Sequence, residues 1–190
     1  MMRTIRLFLR DRTASAATEM ALLVPMLVIL MFGGFEAGYY MWNQHKVIKA
    51  VRDGARFAGR MPMVAYDCSS GTGLASPAVT VPGDTTTVET AVKNMTRTGT
   101  ISGLEKPVVS GWANSGVTLA VTCGNSTGGS TTQTGLFKNN DPTLTSNKLN
   151  GAIRVRVTAD TAYRPLFSTL GFSTVNIGLR ASAQAVVMGR

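Results

Sequence analysis

Residues 20–40 make up the longest apolar stretch of the chain, broken by one charge, Glu36. Those twenty-one residues, wound as a helix, would extend roughly 32 Å, about the thickness of one hydrocarbon core. Tyr39, Tyr40 and Trp42 close the run with aromatics suited to a headgroup belt. The run therefore reads as a single membrane-spanning helix. The whole chain has 190 residues, which leaves room for one modest domain beside that helix. Immediately ahead of the run stands Glu19. A carboxylate costs about 2.5–3.5 kcal/mol at the centre of a membrane helix on insertion scales, and it is unwelcome at the edge.

A removable secretory signal would show a short apolar core followed by small residues at a cleavage site. Here the run is long, and its exit, Gly34-Phe35-Glu36-Ala37-Gly38, lacks an Ala-x-Ala arrangement. Small residues Ala14, Ser15, Ala16 and Ala17 instead precede the run, so a cut among them would leave the membrane helix on the mature protein. Basic residues do not settle orientation. Arg3, Arg6, Arg10 and Arg12 stand before the span, opposed by Asp11, and Lys46, Lys49, Arg52, Arg56 and Arg60 follow it, opposed by Asp53. Cys68 and Cys123 are the only cysteines. A disulfide between them would suit an oxidising periplasm and place the bulk of the chain outside the inner membrane; two unrelated buried thiols are the alternative.

The helix should continue beyond the membrane surface. Val47, Val51, Ala55 and Ala58 recur at spacings of four, four and three, an amphipathic stripe. One helix from near Ser15 to near Gly59 is expected, with Pro25 a potential kink and Met61-Pro62 ending it. Gly33, Gly34 and Gly38 permit close helix approach. Past Tyr66 the composition turns to Gly, Ser, Thr and Val. A short helix is expected over 88–95, with Val88, Ala91, Val92 and Met95 on one face. Strands are expected over 117–122, over 153–158 with clean alternation, and from Thr174 towards Val187. The pattern gives an α+β chain: a long N-terminal transmembrane and amphipathic helix, with a small antiparallel sheet packed on its C-terminal half.

Little in the sequence points to catalysis. A single histidine, His45, cannot build a histidine metal cluster, and the acids beyond residue 60 form no pair with acid–base spacing. No phosphate-cradling glycine loop, nucleophile elbow or Cys-x-x-Cys pair is present. The expectation is a non-enzyme with no catalytic residues, cofactor or metal. Much of the formal charge of +9 sits in the two clusters flanking the membrane run, which suits lipid headgroups or solvent. No helix-turn-helix, zinc-finger or aromatic-basic strand accompanies it, so nucleic-acid binding is not expected.

Two further features stay open on the residues alone. Glu36 lies one turn before Tyr40 and either reaches outward near the membrane exit or meets another membrane helix. The apolar loop over 163–172 either tucks under the sheet or contacts a neighbouring subunit or the membrane.

The segment Thr18-Glu19-Met20-Ala21-Leu22-Leu23-Val24-Pro25 resembles the N-terminal signature of TadE-like proteins of the tight-adherence (Flp) pilus system, Val-Glu-Phe-Ala-Leu-Val-x-Pro. The basic stretch ahead of it, the exit from Phe32 to Gly38, the basic helix carrying Asp53-Gly54-Ala55-Arg56, and a C-terminal strand pair around Pro165-Leu166 are similar too. Ala14 and Met20 stand where that family usually has a glycine and an aromatic. The resemblance implies a pilin-like fold and a minor pilin or pseudopilin that primes pilus assembly and so serves adhesion. It implies a cut between Ala14 and Ser15 by a prepilin peptidase, which makes Glu19 the fifth mature residue. Its carboxylate would then pair with the α-ammonium of a neighbour's Ser15 and set helix register in the filament. A solvated headgroup-level acid or a charge favoured by the helix dipole are the other readings of Glu19. The domains follow: a cleaved basic leader (1–14), a transmembrane helix (15–42), its periplasmic amphipathic continuation (43–60) and a periplasmic α+β domain (61–190). Implied partners are other pilins and pseudopilins, the peptidase and an inner-membrane assembly platform. An uncleaved periplasmic scaffold of the same machinery is the first alternative, and a membrane-tethered enzyme the second.

Overall fold

The structure, a computed structural model, describes residues 12–66, 73–75, 78–122, 153–167 and 177–188, with side chains from residue 16 onward. The long helix, α1, is one element, Arg12–Gly59, and passes through Pro25. It is helical from the first described residue, Arg12, so Ser15 lies inside it. The described residues fall into two compact units. One contains the helix through Met41 together with residues 165–167; the other contains the helix from Trp42 and the remaining described residues.

In the second unit the amphipathic stripe is buried as its spacing predicts. Val47, Val51, Ala55 and Ala58 are no more than 2% exposed, and Asn43, Ala50 and Gly54 complete the same face. The opposite face exposes Trp42, His45, Lys49, Arg52 and Arg56. Beyond Gly59, the Arg60 amide donates to Phe57 O at 3.0 Å and that of Met61 to Ala58 O at 3.1 Å, tightening the last turn. Pro62, which has no amide hydrogen, leads into a short 3₁₀ turn, Met63–Ala65. The buried Tyr66 hydroxyl then donates back to Ala58 O at 2.8 Å.

Burial pushes the Tyr66 phenol well above its ordinary range. A raised value means its contribution to stability is whole below the free phenol value of about 10 and is lost as pH climbs beyond it. Thermal melts of the detergent-solubilised protein should therefore show an alkaline limb of falling stability that is shallower in Tyr66→Phe. At neutral pH that variant should lose about 1 kcal/mol, the net worth of one hydrogen bond. An alkaline limb identical in both proteins would exclude Tyr66 as its source.

The second helix, α2 (Val88–Thr98), is capped at both ends. The Thr87 hydroxyl accepts from Thr90 N, and Gly99, at φ 78°, takes the left-handed closing position. An i,i+4 pair, Lys93–Glu89 at 2.6 Å, supports its surface. The helix runs three residues beyond the expected end at Met95. Its inner face also differs: Asn94 and Thr96 are buried alongside Val88, Ala91 and Val92, whereas Met95 is only half-buried. Both polar side chains satisfy themselves locally. Thr96 Oγ1 donates to Val92 O, and Asn94 Nδ2 to Ile101 O, each at 2.8 Å.

Three strands, β1 (Val117–Thr122), β2 (Arg154–Ala162) and β3 (Gly178–Val186), form an antiparallel sheet in that order. Leu119 faces Val157 across the first pair, and Val157 faces Ala183 across the second. Alternation places Val155, Val157, Ala159 and Leu179 on a fully buried face and Arg154, Arg156, Asp160 and Arg180 on the exposed one. The sheet packs on the helix between two pins. Gln44 Nε2 donates to Arg180 O at 2.8 Å, and Met188 N donates to Gly59 O at 2.9 Å. Between the pins the helix advances about 22 Å and the strand about 26 Å, so this part of α1 lies along β3 in the same chain direction. Gly59 permits the approach, since a Cβ there would come within 2.8 Å of Val186 O. The α+β architecture, with a long apolar helix and a small antiparallel sheet against its C-terminal half, is the one the sequence patterns indicate.

Candidate functional site

From Ala16 to Met31, α1 presents a side-chain surface that the described residues leave bare. Every described residue from Ala16 to Met31 is exposed, including Leu22 at 78% and Ile29 at 71%. Leaving one such side chain in water rather than in an apolar environment forfeits about 1.5–3 kcal/mol, so the segment requires lipid or protein around it. By length and composition it can cross a membrane.

Glu19 is exposed at the head of this surface, and none of the described residues forms a salt bridge with it. Ala14 and Ser15 lie within the first turns of α1. Cys68 and Cys123 lie outside the described residues. Gly33, Gly34 and Gly38 have open space where a Cβ would stand, so the helix surface is flat at these positions.

Glu36 has partners within its own chain. Its Oε2 accepts from the backbone amides of Leu166 and Phe167 at 3.1 and 3.4 Å, and Oε1 accepts from Leu166 N at 3.2 Å. One turn earlier, the Phe32 ring meets the Phe167 ring edge-on, centroids 4.9 Å apart and planes at 81°. The described part of the apolar loop therefore docks on the apolar helix. Sequence reasoning singled out both partners without linking them, because 130 residues separate Glu36 from Leu166.

The exposed basic face of α1 beyond the aromatic belt is locally tied. Lys46 Nζ sits 5.2 Å from the centroid of the Trp42 ring, and Arg56 approaches Asp53 at 3.7 Å. On the sheet, Asp160 and Arg180 oppose one another in register and pair at 2.9 Å. A shallow hollow at Thr80, Val81, Gly83 and Asp84 is a turn. There the Thr86 hydroxyl and amide, both bonded to Asp84 Oδ1, hold that carboxyl below its ordinary value. The turn offers no convergent set of groups for a ligand, and among the described residues no three of His, Cys, Asp and Glu come together.

The sequence model of the TadE-like protein family matches residues 14–56, the stretch holding Glu19, the apolar run and Asp53-Gly54-Ala55-Arg56. This is the family whose signature the N-terminal segment resembles. No curated protein and no solved structure matches the chain.

Proposed function

We propose that this chain is a minor pilin or pseudopilin of a bacterial tight-adherence (Flp-type) pilus, acting in pilus assembly and priming and hence in surface adhesion. The observation that carries the reading is the bare apolar helix headed by Glu19, on the segment matched by the TadE-like model. Before assembly that helix is held in the inner membrane, with the N-terminus cytoplasmic and residues 61–190 periplasmic. A prepilin peptidase cuts between Ala14 and Ser15. The assembly platform then moves the subunit from lipid into a bundle of like helices, where neighbours replace acyl chains against Leu22, Ile29 and Leu30.

Glu19 gives this transfer its register. A carboxylate in an apolar bundle is tolerated when a fixed opposite charge meets it, and the cut creates such a charge, the α-ammonium of Ser15 on a neighbouring subunit. The folded unit beyond Gly59 is more than a bare helix can carry through a tightly packed shaft at every position. That bulk favours sparse incorporation at a tip or in a priming complex. No catalytic role is part of the reading, and Cys68 and Cys123 are proposed to form a periplasmic disulfide.

Intact-mass measurement of the protein purified from membranes tests the processing step. The expected mature chain starts at Ser15. A chain still carrying residues 1–14 in cells that assemble pili would overturn the pilin mechanism and leave an uncleaved scaffold in its place.

A further inference from the structure

Residues 165–167 sit on α1 inside the run read as membrane-spanning. Counted back from Trp42, Glu36 lies about 9 Å and Phe32 about 15 Å along the helix axis, both on the hydrocarbon side of the aromatic belt. Whatever bonds to Glu36 and stacks on Phe32 shares that depth. We propose that these three residues are a second lipid-facing element of the protein, seated among phospholipid acyl chains beside α1. The proposal rests on the reading of α1 as a membrane span.

Irregular backbone is tolerated at such a depth only where its polar groups are satisfied. Pro165 has no amide hydrogen, and the next two amides, of Leu166 and Phe167, both donate to Glu36. Three consecutive residues thus present no free donor. The benefit is mutual, because a carboxylate in the span needs donors and these amides supply them. The side chains fit the same setting. Leu166 is 51% exposed, pointing an apolar group outward, while Phe167 spends its ring on Phe32. In water the exposed leucine and the bare helix around it would be unfavourable together; in acyl chains both are matched.

The test places a benzophenone amino acid in the full-length chain at residue 166, and separately at Ile29 and Leu104. Each protein is reconstituted in vesicles of phosphatidylethanolamine and phosphatidylglycerol, irradiated, and read by mass spectrometry. Leu104 is a stringent control, being 91% exposed in the other unit. Lipid adducts are expected at positions 29 and 166 and not at 104. With Glu36→Ala, both amides lose their acceptor, and labelling at 166 should fall at least about fivefold, the factor that even one lost hydrogen bond of ~1 kcal/mol represents, while labelling at 29 stays. Lipid adducts at 29 with none at 166, or adducts at 166 only to a second copy of the chain, would overturn the inference and leave the span intact. Undiminished labelling at 166 in Glu36→Ala would remove Glu36 as its anchor. An absence of lipid adducts at 29 would instead defeat the membrane reading itself.

Discussion

Gly54→Val is expected to destabilise the folded unit by about 3 kcal/mol, near the upper end of what overpacking a core costs. Gly54 lies on the buried face of α1 against Thr96 of α2, and a Cβ built there would overlap Thr96 Oγ1. Thr96 cannot swing aside without consequence. It is fully buried, and its hydroxyl is committed to Val92 O at 2.8 Å. Gly54→Ala gains about 1 kcal/mol of helix propensity, so its net loss should be smaller, about 1–2 kcal/mol. Thr96→Ala removes the obstructing oxygen, and the double variant should recover part of the loss, which a double-mutant cycle measures directly. Unfolding followed through the near-ultraviolet signal of the buried Trp112 is the readout. Wild-type stability in Gly54→Val would mean that the two helices do not meet as described.

Glu19→Ala carries the largest functional effect under the proposed reading. Breaking a buried ion pair by removing one partner costs about 3–5 kcal/mol, more than a hundredfold in subunit docking at 1.4 kcal/mol per tenfold. Pilus formation should collapse, while the amount of protein in the membrane fraction stays level, because the alanine makes the span no less apolar. Glu19→Gln should fail nearly as badly, since it keeps hydrogen bonding and loses the charge. Normal pili with the alanine variant would sink the register contact and favour the uncleaved scaffold.

Much of the fold was legible because its signals are periodic and local. The apolar run, broken only at Glu36, gave the long helix, and Val47, Val51, Ala55 and Ala58 identified the face that is buried. Alternation around Val155 and Val157 gave the central strand, although the strand continues to Ala162 because Ala159 and Thr161 keep the pattern with smaller side chains. What escaped was tertiary. Asn94 and Thr96 look like surface residues by type, and they are buried because Thr96 bonds one turn back to Val92 and Asn94 bonds the loop carbonyl of Ile101 just past the helix. The apolar spacing stops at Met95, whereas the helix runs on until Gly99 closes it with a positive φ. Within the candidate site, Glu19 and Glu36 stood out because charge beside an apolar run is conspicuous. The partner of Glu36 was not readable, since a backbone amide has no sequence signature. The role of Gly54 was hidden for a related reason: within the matched segment it looked like part of a motif, and only the nearness of Thr96 gives it a physical task.

The two pins between α1 and β3 also bear on how the protein comes into being. Gln44 meets the carbonyl of a residue 136 positions later, so the part of the buried helix face that lies along β3 is not covered until the last described strand has been synthesised. Docking over such a separation is slow compared with helix formation itself. At about 5–20 residues per second the ribosome needs roughly 7–27 seconds to bridge that interval. Throughout it, the side of α1 that faces β3 stands uncovered. The nascent chain is therefore most exposed to aggregation before β3 emerges and closes the helix face.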